Sequence, residues 1–231
     1  MALPDCFCWT RFGAEAGQTS EQILARKEQE RIANRGCFLW GVGNAVGPSV
    51  KDLVLRTASP EVLFSPIKST PRAEHVAPAA VVAWTQAETL TGEAFQLPSY
   101  SLVTSRYDPS APRGAHYALV CFSDQPLTPS RSQETIYFSA LRNLRSGRRL
   151  GASQVTAVVR RDTNHGPHDR DYDVAIRAKL VSPYFIRLQR PVPIKHLGAD
   201  WDWAEEVCRL WSRRLSGCPS AKPRPAGLLQ V

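Results

Sequence analysis

The sequence predicts an α+β fold: a small, highly curved β-barrel of about six or seven short strands with flanking helices. Three observations predict it. Short apolar runs bounded by Gly, Pro and Asn recur along the chain and fit strand length better than helix length. A helix signature with its own capping residues precedes most of them, and a Trp-rich helical pattern follows the last. With 43% hydrophobic residues over 231 positions, the chain can build the core of one large domain. Short strands with helices at either end pack as a curved sheet whose openings the helices cover.

Residues 1–18 read as an arm carrying Trp9 and Phe12 among small and polar residues. Thr19 opens the first helix, with Gln22 at the spacing of a capping box, and the helix runs to Ile32. Its apolar residues are few, so it is expected to pack by a narrow stripe, with Arg26, Lys27 and Arg31 on a solvated face laced with ion pairs. Asn34 and Gly36 end it. Cys37 to Trp40 then reads as a buried strand. It runs into a glycine-punctuated loop, Gly41 to Gly47, and a short helical pattern from Ser49 to Leu55. A large aromatic therefore stands where a strand meets a loop able to bring bare backbone close to a ligand.

Pro60 to Ser65 is a second strand, followed by a loop that carries Lys68 and Arg72. Val76 to Trp84 is a third, interrupted at Pro78. Residues 85–114 read as a long aromatic and polar connection holding Phe95, Tyr100 and Tyr107, a length that usually signals function. His116 to Phe122 is a strand, Arg142 to Gly151 the densest basic segment, and Gln154 to Arg161 another strand. Val174 to Leu180 and Tyr184 to Leu188 read as antiparallel neighbours across Val181-Ser182-Pro183. Trp201 to Leu215 is a helix that packs by Trp203, Val207, Leu210 and Trp211, and the tail 216–231 is expected to be loose. The domain plan is thus an arm (1–18), a barrel domain (19–200), a packing helix (201–215) and a flexible tail (216–231).

The net charge is +8 and the pI about 9.4, with the arginines concentrated late in the chain. Such a balance favours a polyanionic partner, and nucleic acid is the commonest. No apolar run is long enough to span a membrane, and Met1 to Cys6 lacks the pattern of a secretion signal, so the expectation is a cytoplasmic protein. The six cysteines are scattered. Cys37 and Cys121 lie in apolar runs and read as small core residues, while Cys6 and Cys8 are too close for a zinc knuckle and have no second pair. No metal or other cofactor is expected.

The order of these pieces, with a strand ending in Trp40, a small-residue loop, a helix and then the segment EVLFSPIKS, resembles the start of the PUA-like superfamily, and its EVE and YTH branches most. The Ala94-Phe95-Gln96-Leu97-Pro98 loop, GAHYALVCFSDQPLTP and SALRNLRSGRRLGASQV are similar to the pieces that follow there, so the resemblance covers roughly residues 19–165. Two departures stand out: Gly-Val-Gly-Asn follows Trp40 in place of a Ser/Thr pair, and Phe95 and Tyr100 stand where a Trp is usual. The resemblance implies a non-enzymatic reader that holds a modified or flipped base of DNA or RNA. An extruded base needs an aromatic sandwich, polar groups on its edge and cations around the mouth. Trp40 is the expected first wall, with Phe95, Tyr100 or Tyr107 the second. Gly41, Gly43, Asn44 and Ser65 would read the edge. Lys68, Arg106, Arg142, Arg145, Arg148 and Arg149 would follow phosphates.

Two other readings follow from the residues. His165-Gly166-Pro167-His168-Asp169-Arg170-Asp171 puts two His and two Asp in seven residues, which would suit a metal-dependent nucleic-acid-processing enzyme, although Pro and Gly favour a hairpin too mobile for a catalytic site. The Trp-rich helix 201–215 would suit a protein-interaction module with a protein partner or a homodimer.

Overall fold

The computed structural model describes residues 3–13, 19–67, 80–97, 102–107, 116–128, 134–162 and 171–193. Cys6–Phe12, expected as part of an arm, is instead strand β1, set inside the sheet. Its alternation explains this. Phe7 and Trp9 point to one face, Cys8 and Phe12 to the other, and all four are buried. β1 runs parallel to β3 (Glu61–Pro66) and antiparallel to β10 (Thr156–Arg161). The indole N–H of Trp9 donates to Ser65 Oγ at 3.1 Å, which ties β1 to β3 inside the core.

Between β1 and β3 lie helix α1 (Ser20–Ala33), strand β2 (Cys37–Val42) and helix α2 (Gly47–Arg56). The capping box at the start of α1 is formed in both directions. Gln22 N–H donates to Thr19 Oγ1 at 3.3 Å, and Thr19 N–H donates to Gln22 Oε1 at 2.9 Å. Gly36, at φ +101, turns the chain into β2, and a Cβ there would lie 2.5 Å from the Phe122 ring. Pro48 stands in the first turn of α2, where its missing N–H costs nothing.

The sheet reads, in order, β2, β7 (His116–Phe122), β12 (Ile176–Pro193), β3, β1, β10 and β9 (Leu141–Asn143). Among the described strands of this path only the β1–β3 pairing is parallel. The far half of β12 also pairs with β4 (Ala80–Thr89), which carries β5 (Ala94–Phe95) and β6 (Leu102–Tyr107). A separate pair, β8 (Thr135–Tyr137) with β11 (Asp171–Asp173), covers the Trp9 face. Among the described residues this makes twelve strands and two α-helices in an α+β fold. The sheet curls around one core to which β1, β2, β3, β7, β10 and β12 all contribute, and α2 plugs it with Val50 and Leu53. The two ends of the path, β2 and β9, are not paired with each other among the described residues.

Two expected connections prove to be strands. The 85–114 stretch holds the end of β4, then β5 and β6, because Gln86 to Thr89 continues the alternation with Ala87 inward, and Thr89 Oγ1 accepts the N–H groups of Thr91 and Glu93 to close the turn. The turn expected at Val181-Ser182-Pro183 is an irregularity within one strand. β12 pairs with β7 on both sides of it, and the register shifts between Leu180 and Phe185. No helix among the described residues is long and apolar enough to cross a membrane.

Candidate functional site

The site begins with the buried stripe of α1. Ile23, Arg26, Lys27 and Glu30 follow the i, i+3, i+4, i+7 spacing of a core-facing stripe, and three of the four are charged. Arg26, Lys27 and Glu30 are exposed by only 1%, 2% and 0%, which corrects the expectation of a solvated face for the first two. Arg31 is partly buried, paired with Glu28 at 2.7 Å and donating to the Ser123 carbonyl at 3.3 Å. Glu30 uses both oxygens: Oε2 accepts from Lys27 Nζ at 2.5 Å, and Oε1 accepts the backbone N–H of Leu39 at 2.7 Å. Leu39 belongs to β2, whose sheet partner among the described strands is β7 alone, so the carboxylate satisfies an edge donor that has no strand beside it.

Burial governs the charges here. It pushes the Lys27 ammonium down to about 8 against the pull of Glu30, and the Arg26 guanidinium down to about 10. Burial likewise raises the Glu30 carboxyl, opposed by Lys27.

Beside this cluster, at the junction of β2 with its loop, lies a cavity of about 470 Å³. That volume falls within the roughly 300–1,000 Å³ of small-molecule sites. Trp40, Gly41 and Gly43 line it, and Tyr117 and Val42 join them. In the β2–β7 ladder Trp40 lies opposite Leu119 and Val42 opposite Tyr117. Trp40 and Tyr117 are therefore diagonal neighbours on one face. Such neighbours stand about 7–8 Å apart along the backbone, within reach of one another's aromatic side chains. Both rings are backed: Phe64 meets Trp40 edge-on at 4.8 Å, and Phe185 stacks on Tyr117 at 5.4 Å. A Cβ on Gly43 would meet nothing within 4 Å, so the loop leaves open space there.

Among the described residues, the charged side chains on the cavity wall are Arg11 and Lys27, and no Asp or Glu lines it. Arg11 is steadied by donating to Tyr172 Oη at 3.3 Å and to the Ala152 carbonyl at 3.4 Å, with its guanidinium 5.8 Å from the Trp9 ring. His116 also lines the cavity, its ring 4.7 Å from that of Trp84, and burial lowers its pKa from 6.5, so it is neutral at pH 7.

The other predicted residues are placed differently. Asn44 is exposed in the turn that follows Gly43 and does not line the cavity. Ser65 is fully buried and holds Trp9, so it reads no ligand edge. Phe95 packs against the Trp84 cluster and is no second wall of this cavity. Arg106 and Tyr107 are placed as backbone in β6. Tyr100 and Lys68 lie outside the described residues, as do residues 165–170 of the His/Asp segment and the helix expected at 201–215.

Arg142 is engaged in structure: it pairs with Asp162 at 3.0 Å and donates to the Ser139 and Leu141 carbonyls. Arg145 pairs with Asp52 at 3.0 Å on the surface. Arg148 and Arg149 are exposed just after a turn that Asn143 Oδ1 organises by accepting the N–H groups of Arg145 and Ser146. Arg160 lies against the same turn, its guanidinium 3.6 Å from where a Cβ on Gly147 would sit. β10 runs from Thr156, on the cavity wall, to Arg160, a span of about 13 Å.

Tyr117, Lys27, Arg11 and His116 are the wall residues that sequence reasoning missed. For Lys27 a signal existed, since it occupies a core slot of the α1 stripe. For Tyr117 the strand was legible, but its register against β2 was not. No known protein family, no curated protein and no solved structure matches the chain.

Proposed function

We propose that the chain is a nucleic-acid-binding protein that receives one extruded base, modified or unmodified, between Trp40 and Tyr117, in a PUA-like domain of the EVE and YTH kind. The observation that carries the reading is the cavity at the end of β2, walled by two backed aromatic rings at diagonal register and bordered by cations. Base–aromatic stacking is worth about 1–3 kcal/mol per base and tolerates any base, because every base has a π face. Phosphates on either side of the extruded nucleotide would meet Arg148, Arg149 and Arg160, which are exposed and add a salt-dependent share of the affinity. The curved sheet around a helical plug, with Trp40 near the end of β2, supports the PUA-like assignment.

The test is binding to oligonucleotides carrying one unpaired base, with an abasic control, across a salt series. Trp40→Ala is expected to weaken base-dependent binding about tenfold while leaving the basic-patch contribution. Gly43→Leu fills the cavity mouth at a position where a Cβ meets open space, so it is expected to block binding without lowering the melting temperature. If the abasic control binds as well as every base-bearing strand, and neither variant changes this, the cavity holds no base.

A further inference from the structure

Among the described residues the charges on the cavity wall are of one sign, and one of them is held by a buried carboxylate. Lys27 is buried on α1, and its Nζ is fixed by Glu30, whose other oxygen is fixed by the backbone N–H of Leu39, the residue before Trp40. The ammonium is thereby positioned relative to the aromatic wall by two hydrogen bonds through one carboxylate. An ammonium and a guanidinium are donors only. Of the two hydroxyls among the lining side chains, that of Thr156 is engaged with Thr10 Oγ1 at 2.7 Å, and the other belongs to the stacking ring of Tyr117.

We propose that this cavity selects bases bearing a keto oxygen at the purine 6 or pyrimidine 4 position, guanine, thymine and uracil, over adenine and cytosine, with Lys27 reading the oxygen. The inference rests on the base-binding reading above. Guanine offers O6 and N7 as acceptors, and thymine and uracil offer O4. Adenine and cytosine place an amino donor at the same position. A donor facing a fixed buried donor forfeits its hydrogen bond and keeps the cost of leaving water, whereas an acceptor there gains a charge-assisted bond in a low-dielectric setting. Arg11 on the same wall adds positive potential and supplies no acceptor. Stacking between Trp40 and Tyr117 makes no such distinction, so the discrimination falls to the polar wall.

The experiment uses the full chain and a short duplex with one unpaired nucleotide, varied as G, T, A, C or abasic, at fixed moderate salt. Guanine and thymine are expected to bind about tenfold more tightly than adenine and cytosine. Replacing guanine by inosine, which keeps the 6-oxygen, is expected to preserve binding, and 2-aminopurine, which has hydrogen there, to lose it. These base analogues test the wild-type protein and need no variant to fold. The paired variant Lys27→Met/Glu30→Gln is expected to shrink the preference below about twofold while base-bearing strands still bind better than the abasic one. Equal binding of all four bases, each above the abasic strand and each sensitive to Trp40→Ala, would overturn the keto selection and leave the base pocket standing. A preference for adenine or cytosine, or for 2-aminopurine over inosine, would overturn it too. No advantage of any base over the abasic strand would overturn both.

Discussion

Glu30 accepts from Lys27 and from Leu39, and so joins the charge of α1 to the backbone that carries Trp40. Removing it leaves Arg26 and Lys27 buried with their nearest carboxylate gone, and the β2 edge donor without its acceptor. Glu30→Ala is therefore expected to cost about 3–5 kcal/mol in urea unfolding. The pair Lys27→Met/Glu30→Gln should cost less, because Gln still accepts from Leu39 and Met keeps the volume. A smaller loss for the single variant than for the pair would show that the carboxylate does not hold this cluster. Cys8 sets a second expectation. Its thiol is wholly buried, and burial raises its pKa from 9.0 to about 12. The unfolded thiol ionises near 9.0 and the folded one only near 12. The stability that this contributes is fully present below pH 9 and is lost as pH rises toward 12, amounting to about 4 kcal/mol across the gap. Between pH 8 and 10.5 the wild type should lose about 2 kcal/mol more than Cys8→Val, read from urea titrations at the two values. Equal losses in both proteins would mean that the Cys8 thiol ionises alike in both states.

At the scale of elements, α1 is the clearest case of what the sequence could and could not show. Thr19 and Gln22 marked its start to the residue, because capping chemistry is local and the partners are three positions apart. Thr19→Ala should lower stability by about 1 kcal/mol, seen as a shift in thermal midpoint. An unchanged midpoint would mean that this helix end is held by packing alone. The inward face of the same helix was misread, since polar residues at core spacing look like a solvated face until the neighbouring strand edge that binds them is known. β7 was legible as an apolar run, whereas β5 and β6 were hidden in a polar stretch whose pairing with β4 is long-range. β12 was divided in two by its Pro183, although β7 pairs with it on both sides of that point.

At the scale of the whole molecule, the α+β class and the presence of Trp40 in a strand could be read from local pattern, while the continuation of that strand through Gly41 and Val42 and the second aromatic wall could not. Tyr117 reaches the cavity only through the register between β2 and β7, and register is a property of two segments together. β1 reads as an arm in the sequence because nothing near it pairs with it; its neighbours β3 and β10 come much later in the chain, and Thr10 meets Thr156 across 146 positions. β12 has the same character and a larger role, since it pairs with β3, β4 and β7 at once. Arg177 on it bridges Glu61, 116 positions earlier, and Glu134. Among the described strands, the one that locks the sheet is thus the last made. During synthesis the ribosome delivers β3, β4 and β7 with their edges open, and these wait for the segment that joins them. Such a chain folds late and slowly by its topology, and its unfinished edges are the natural targets for a chaperone while it is being made.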